Sequence, residues 1–196
     1  GCIRSWDFGE WNFPVIIDNM MNLDLLFNAT KLSGNPKYYD IAVKHAQTTM
    51  KNHFRPDYTS YHVVSYNNDG SVEKKQTHQG KNDDSAWSRG QAWGVYGYTS
   101  CYRETKDTTF LQEAINIADM IIKRVTTDDC IPYWDYDAPA GEKTPRDASA
   151  AAITASALLE LSTYAPKEKK YFDYAETILK NLSSNKYLAD RKSTRL

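Results

Sequence analysis

The sequence predicts an all-α fold built from helical hairpins. Three observations predict it. Three amphipathic segments recur along the chain, the segments between them lack a polar face, and short turns join them in pairs. Inner helices buried on every side with amphipathic helices outside them favour a closed toroid. An open α-solenoid that binds other proteins is the alternative.

The elements follow in order. The first helix is read over Val15–Ser33, from a strongly apolar start at Pro14-Val15-Ile16-Ile17. The turn Gly34-Asn35 leads into the second, Pro36–His53, with Pro36 at its start. Tyr38, Tyr39, Ala42, Val43, Ala46 and Met50 form its apolar stripe. The third spans Asp84–Thr105, with Asp84 or Ser85 as a capping residue. Trp93, Val95, Tyr96 and Tyr98 occupy every face of it. Lys106-Asp107 connects it to the fourth, Thr108–Val125, where Phe110, Ala114, Ile117, Ala118 and Ile121 recur at helical spacing. The fifth, Asp147–Tyr164, is apolar nearly all round, from Ala150 to Leu159. Beyond Pro166 lies the sixth, Lys167–Asn181, with Tyr171, Phe172, Ala175, Ile178 and Leu179 on one side. Tyr38-Tyr39-x-x-Ala42, Phe110-Leu111-x-x-Ala114 and Tyr171-Phe172-x-x-Ala175 hold the same place in successive hairpins.

Three hairpins do not close a ring. The first residues are dense in aromatic groups, whereas Ala189–Leu196 is polar and without period. Residues 1–188 are therefore expected to be part of a larger domain, and 189–196 a disordered tail. Charge is balanced, with 24 Lys plus Arg against 25 Asp plus Glu. That balance gives no electrostatic case for nucleic acid or an anionic membrane. No apolar run approaches the roughly 20 residues of a membrane helix. The three cysteines, Cys2, Cys101 and Cys130, are too scattered for a disulfide framework or a metal site.

The extra length between hairpins lies in two links, Phe54–Asp83 and Thr126–Arg146, long enough to carry function. They and the first segment hold the aromatic surplus: Trp6, Phe8 and Trp11, then Tyr58, Tyr61 and Tyr66, then Tyr133-Trp134-Asp135-Tyr136. A hairpin array brings these to one end, where flat rings and polar groups suit a sugar. Packing of the links onto the helices is the alternative. Within the second link, Ser60–Tyr66 alternates, Asn67-Asn68-Asp69-Gly70 signals a turn, and Ser71-Val72-Glu73 returns. His62, Val64 and Tyr66 then share one side of a ribbon.

Asp18 sits among apolar residues at the start of an inner helix. Desolvation raises the pKa of such an acid, which suits a general acid near neutral pH. An acid that merely stabilises a helix start reads equally well. Trp87 and Arg89 fall in the first turns of the third helix, and Arg has a fork of donors suited to a carboxylate. Gly90 and Gly94 allow a close approach to that helix.

Several strings carry a resemblance. Ser5-Trp6-Asp7-Phe8, Phe13-Pro14-Val15-Ile16-Ile17-Asp18-Asn19-Met20-Met21-Asn22, His78-Gln79-Gly80, Trp87-Ser88-Arg89-Gly90-Gln91-Ala92-Trp93 and Pro145–Ala151 resemble the unsaturated glucuronyl hydrolases of glycoside hydrolase family 88. The sister unsaturated rhamnogalacturonyl hydrolases look less close in the fourth string. The resemblance implies an (α/α)6 barrel, of which three of six hairpins are present. It implies a partner too: an oligosaccharide left by a polysaccharide lyase, carrying a 4,5-unsaturated uronic acid at its non-reducing end. It implies hydration of the enol ether double bond, with Asp18 as the catalytic acid and base. By the same matching, His62, Gln79, Trp87, Arg89 and Trp93 line the subsite for the unsaturated sugar. No metal or cofactor is implied, and neither nucleic acid, membrane nor a particular oligomeric state. A second important aspartate of the family lies in a part that no residue here matches.

Overall fold

In the computed structural model, which describes residues 1–188, six helices, one 3₁₀ turn and a three-stranded sheet follow one another along the chain. The helices are α1 (Leu23–Ser33), α2 (Pro36–His53), α3 (Ser88–Thr105), α4 (Thr108–Arg124), α5 (Ala148–Tyr164) and α6 (Lys169–Leu182). They pair as three hairpins. Gly34, at φ 70°, ends α1, and Asn35 accepts from the Lys37 N–H to open α2. Lys106, at φ 60°, ends α3, and Asp107 caps α4 through the Thr109 N–H. Asp147 caps α5 through the Ala150 N–H. Short polar caps at these places are what the hairpin reading required.

α3 packs against α1 on one side and α5 on the other, with α2, α4 and α6 outside. Their shared core holds Met20, Phe27, Tyr98, Phe110, Ile117 and Leu158, each almost wholly buried. Arg103, near the C-terminal end of α3, meets Glu160 of α5 at 2.8 Å and Asp24, in the first turn of α1, at 2.6 Å. One guanidinium thus joins all three inner helices. None of the described helices is long and apolar enough to cross a membrane.

The structure corrects four expectations. Pro14–Ile16 is a β-strand, β1, and Ile17–Asn22 a 3₁₀ turn, so α1 begins only at Leu23. β-Branched Val15 and Ile16 pair with β2 (Val63–Tyr66) instead of coiling. β3 (Val72–Gln76) completes an antiparallel sheet in the order β1-β2-β3. The all-α fold therefore carries a small sheet at one end. The hairpin of the second link is present, but His62 precedes β2, and the register shifts at Ser65/Tyr66, so the three named side chains do not simply alternate. Neither Asp84 nor Ser85 caps α3. Its N-cap is Trp87, with no side-chain cap, while the Ser85 hydroxyl donates to Asp135 at 2.7 Å. Burial all round holds best for α3. α5 exposes Ala152 and Ser156, and Leu25 and Leu32 of α1 are 70% and 90% exposed.

Candidate active site

β1 runs directly into the turn that carries Asp18, so whatever holds β1 places that carboxyl. The Ile17 N–H donates to the His62 carbonyl at 3.1 Å, and the Ile16 N–H to Ser5 Oγ at 2.9 Å. Fully buried His53 sits 3.0 Å from the Val15 carbonyl through Nε2. Burial pulls His53 down to about 3, so it is a neutral donor to that carbonyl.

Asp18 lies in the first turn after β1, and no side chain caps that turn. Burial pushes its carboxyl up to about 6, opposed by its own backbone N–H and by the nearby Arg89 charge. Its Oδ2 is buried and has no hydrogen-bond partner.

The His62 ring faces it. His62 Nδ1 accepts two backbone donors, the N–H of His78 at 3.0 Å and of Gln79 at 3.1 Å. That fixes the neutral tautomer with its proton on Nε2. Nε2 lies 3.7 Å from Asp18 Oδ2, beyond a hydrogen bond, and is likewise buried without a partner. The separation is short enough for an ion pair, but the two groups are not one. Burial, then the His78 and Arg89 charges, lowers His62 to about 4 while Asp18 rises. At neutral pH a neutral imidazole stands beside a carboxyl.

The start of α3 supplies the next wall. The Trp87 ring centre is 4.5 Å from that of His62, and the Arg89 guanidinium lies 5.0 Å from the Trp87 ring. Gln91 latches the second link to this helix. Its Oε1 accepts from the Ser60 N–H at 2.8 Å, and its Nε2 donates to Ser60 Oγ at 3.0 Å and to the Trp87 carbonyl at 3.1 Å. Gln79 is exposed and joins the group through its backbone N–H. Trp93, half-buried one turn beyond Arg89, packs edge-on against Tyr96 at 5.8 Å.

Only part of the aromatic surplus converges. Trp6, Trp11 and His78 form a cluster, with Trp6–Trp11 at 5.2 Å and His62–His78 at 6.3 Å. Phe8 stacks on Trp6 and is 69% exposed, while Trp6 Nε1 is buried and unpartnered. The other rings serve packing. Tyr61 lies under Arg55, and the Tyr66 hydroxyl accepts from Asn52. Tyr133 lies under Arg146. The third link anchors α3: the Trp134 carbonyl accepts from the Ser88 N–H, and the Tyr133 carbonyl from the Ser88 hydroxyl. Asp135, wholly buried, accepts from the Lys81 N–H at 2.9 Å and from Ser85.

Sequence reasoning passed over His53 and named Gln91 and Asp135 without their bracing roles, because each acts on a residue far away in the chain. Among the described residues, no cluster of three His, Cys, Asp or Glu side chains is arranged to hold a metal ion. What the site offers is a protonatable carboxyl, a neutral N–H donor, a cation and apolar ring faces, all at one end of the inner helices.

Comparison with known proteins matches the chain to a family. The profile of Glycosyl Hydrolase Family 88 covers residues 5–194. An unsaturated glucuronyl hydrolase of Formosa agariphila is 51% identical over 190 residues, 95% of this chain and 47% of that protein. A crystal structure of an unsaturated glucuronyl hydrolase specific for heparin superposes with a TM-score of 0.94 at 55% identity, over 96% of this chain and 52% of the other. That of the Bacillus sp. GL1 unsaturated glucuronyl hydrolase, responsible for the degradation of glycosaminoglycan, gives 0.86 at 34% identity, over 92% and 50%. These structures are (α/α)6 barrels, and the three hairpins seen here follow that architecture. The chain spans about half the length of the relatives it matches. It belongs to glycoside hydrolase family 88.

Proposed function

We propose that the protein to which this chain contributes removes a 4,5-unsaturated uronic acid from the non-reducing end of lyase-generated glycosaminoglycan oligosaccharides. One observation carries the reading. Two buried polar atoms that face each other, Asp18 Oδ2 and His62 Nε2, lack hydrogen-bond partners, with the Arg89 charge nearby. Buried polar groups without partners are costly unless something binds there. The donor and acceptor left open, with that cation beside them, fit an anionic sugar.

The chemistry follows from Asp18. Because burial raises it to about 6, its carboxyl keeps a protonated fraction near neutral pH, and that form gives a proton to C4 of the enol ether. The resulting carboxylate takes a proton from the water that attacks C5. A hemiketal forms at C5, the ring opens, and the rest of the oligosaccharide leaves with its hydroxyl restored. One group serves both steps because it ends as it began. His62 keeps an N–H turned to this reaction centre and, being neutral, does not compete as a base. Arg89 faces the uronate carboxylate. Trp87 and Trp93 bound the sugar ring, and Gln79 meets a hydroxyl edge. Sequence identity is higher to the heparin-specific relative than to the Bacillus one, so the first substrate expected is a heparin-type disaccharide.

Purified whole protein incubated with unsaturated heparin, chondroitin and rhamnogalacturonan disaccharides tests this. The absorbance of the double bond is followed. Loss with the first two and none with the third is expected. Turnover of the rhamnogalacturonan product alone, or of none, contradicts it.

A further inference from the structure

Asp147 stands outside the groups assigned to the sugar, yet its carboxylate faces one of them. It is 9% exposed, and its two oxygens serve different elements. Oδ1 accepts from the Ala150 N–H at 2.8 Å and closes the first turn of α5. Oδ2 lies 3.3 Å from Arg89 Nε on α3. That is an ion-pair distance without the alignment of a hydrogen bond, and Arg89 forms no hydrogen bond among the described residues.

A helix cap does not require a charge. Ser, Thr or Asn caps as well, and burying a carboxylate is unfavourable unless a cation faces it. The position therefore holds more than a cap demands. Its backbone is fixed as well. The Asp147 N–H donates to the Pro132 carbonyl at 2.9 Å, and its own carbonyl accepts from the Ala151 N–H at 3.2 Å. The same link grips the start of α3 through Trp134 and Ser88. Asp147 and Arg89 thus ride on two helices whose relative place is set by one segment.

We infer that Asp147 is a positioning residue for Arg89. It draws the Nε edge of the guanidinium toward α5, so that the two terminal nitrogens remain turned to the substrate. The inference rests on the function proposed above. Asp147 touches no substrate and acts only through Arg89. An arginine held this way keeps its fork preset, and binding need not fix a wandering side chain.

Asp147→Ser separates the two duties, because serine caps a helix but is too short to reach Arg89. In the whole protein this variant is expected to keep its melting temperature within a few degrees. Its kcat/KM should fall about tenfold, mostly through KM. In an Arg89→Ala background the same substitution should change kcat/KM by less than about twofold. An unchanged kcat/KM, or an equal loss with and without Arg89, overturns the inference. If the serine variant melts early, Asp147→Asn, which keeps the capping oxygen but not the charge, is put through the same comparison. The NMR signal of the Arg89 Nε–H gives a readout independent of turnover. It should be ordered in the parent and motionally averaged in Asp147→Ser; an equally ordered signal in both refutes the positioning role even if the disaccharides prove not to be substrates.

Discussion

Asp18 is held in a place that costs the protein stability. Its folded pKa of about 6 lies above the ordinary carboxylate value of 3.8. A group raised in this way is protonated in the fold below that pH, and its charge is penalised above it. The penalty is absent below about pH 4, grows between about 4 and about 6, and is complete above that. The gap between 3.8 and about 6 corresponds to about 3 kcal/mol at full effect. Asp18→Asn should therefore raise stability near pH 8 by up to that amount and leave it nearly unchanged near pH 4. Denaturant unfolding at the two pH values checks this; equal effects at both would contradict the burial argument. The apolar run around Asp18 made this environment legible in the sequence. Its place relative to the turn was not legible, because that depends on where the helix begins: Asp18 lies in the first turn of the 3₁₀ segment, whose N-cap makes no side-chain hydrogen bond. The neutral state of His62 was beyond reach as well. It depends on two backbone donors, at His78 and Gln79, that a turn brings back to the ring.

At the scale of elements, the contact between α3 and the Asp18 turn sets the geometry. A Cβ on Gly97 would stand 2.5 Å from Met20 Cβ and 3.0 Å from the Met20 carbonyl oxygen. Gly90 is nearly as tight, with Ile17 Cγ2 at 2.9 Å, whereas Gly94 meets Phe54 at 3.3 Å. The sequence pointed to Gly90 and Gly94 by their spacing. Gly97 is the tightest of the three, and its neighbours are Met20 Cβ and the Met20 main chain, which no side-chain rotation moves. Gly97→Ala should push α3 and the turn apart, destabilise the fold by about 1–3 kcal/mol, and lower kcat more than Asp18-remote substitutions of equal cost. Thermal melting and steady-state rates on the same variant measure both effects. An alanine that melts and turns over like the parent would show that the turn yields freely. The helices themselves were legible because their period and caps are local: Pro36–His53 matches α2 residue for residue. β1 was not legible, because Pro14–Ile16 becomes a strand only by pairing with Val63–Ser65, about fifty residues away.

For the molecule as a whole, three inner helices stand side by side and the site gathers at one end of them. The inner and outer assignment followed from the contrast between helices with and without a polar face. The expectation of a convergent aromatic end holds for Trp6 and Trp11 of the first segment, which meet His78, and fails for Tyr61 and Tyr66 of the second link and for the third link, which braces α3. Composition gives the number of rings but not their direction; that depends on hydrogen bonds such as those of Asp135. All of these contacts bear on a single assertion, that Asp18 both gives and takes the proton in sugar release. The most direct measurement is turnover and binding of an unsaturated glycosaminoglycan disaccharide by the whole protein and its Asp18→Asn variant, each followed across pH. The parent rate should fall as pH rises through about 6. The variant should lose at least about a thousandfold in kcat while its disaccharide affinity stays within a few fold. A variant that keeps most of its turnover, or that loses binding in proportion to rate, would contradict the role given to Asp18.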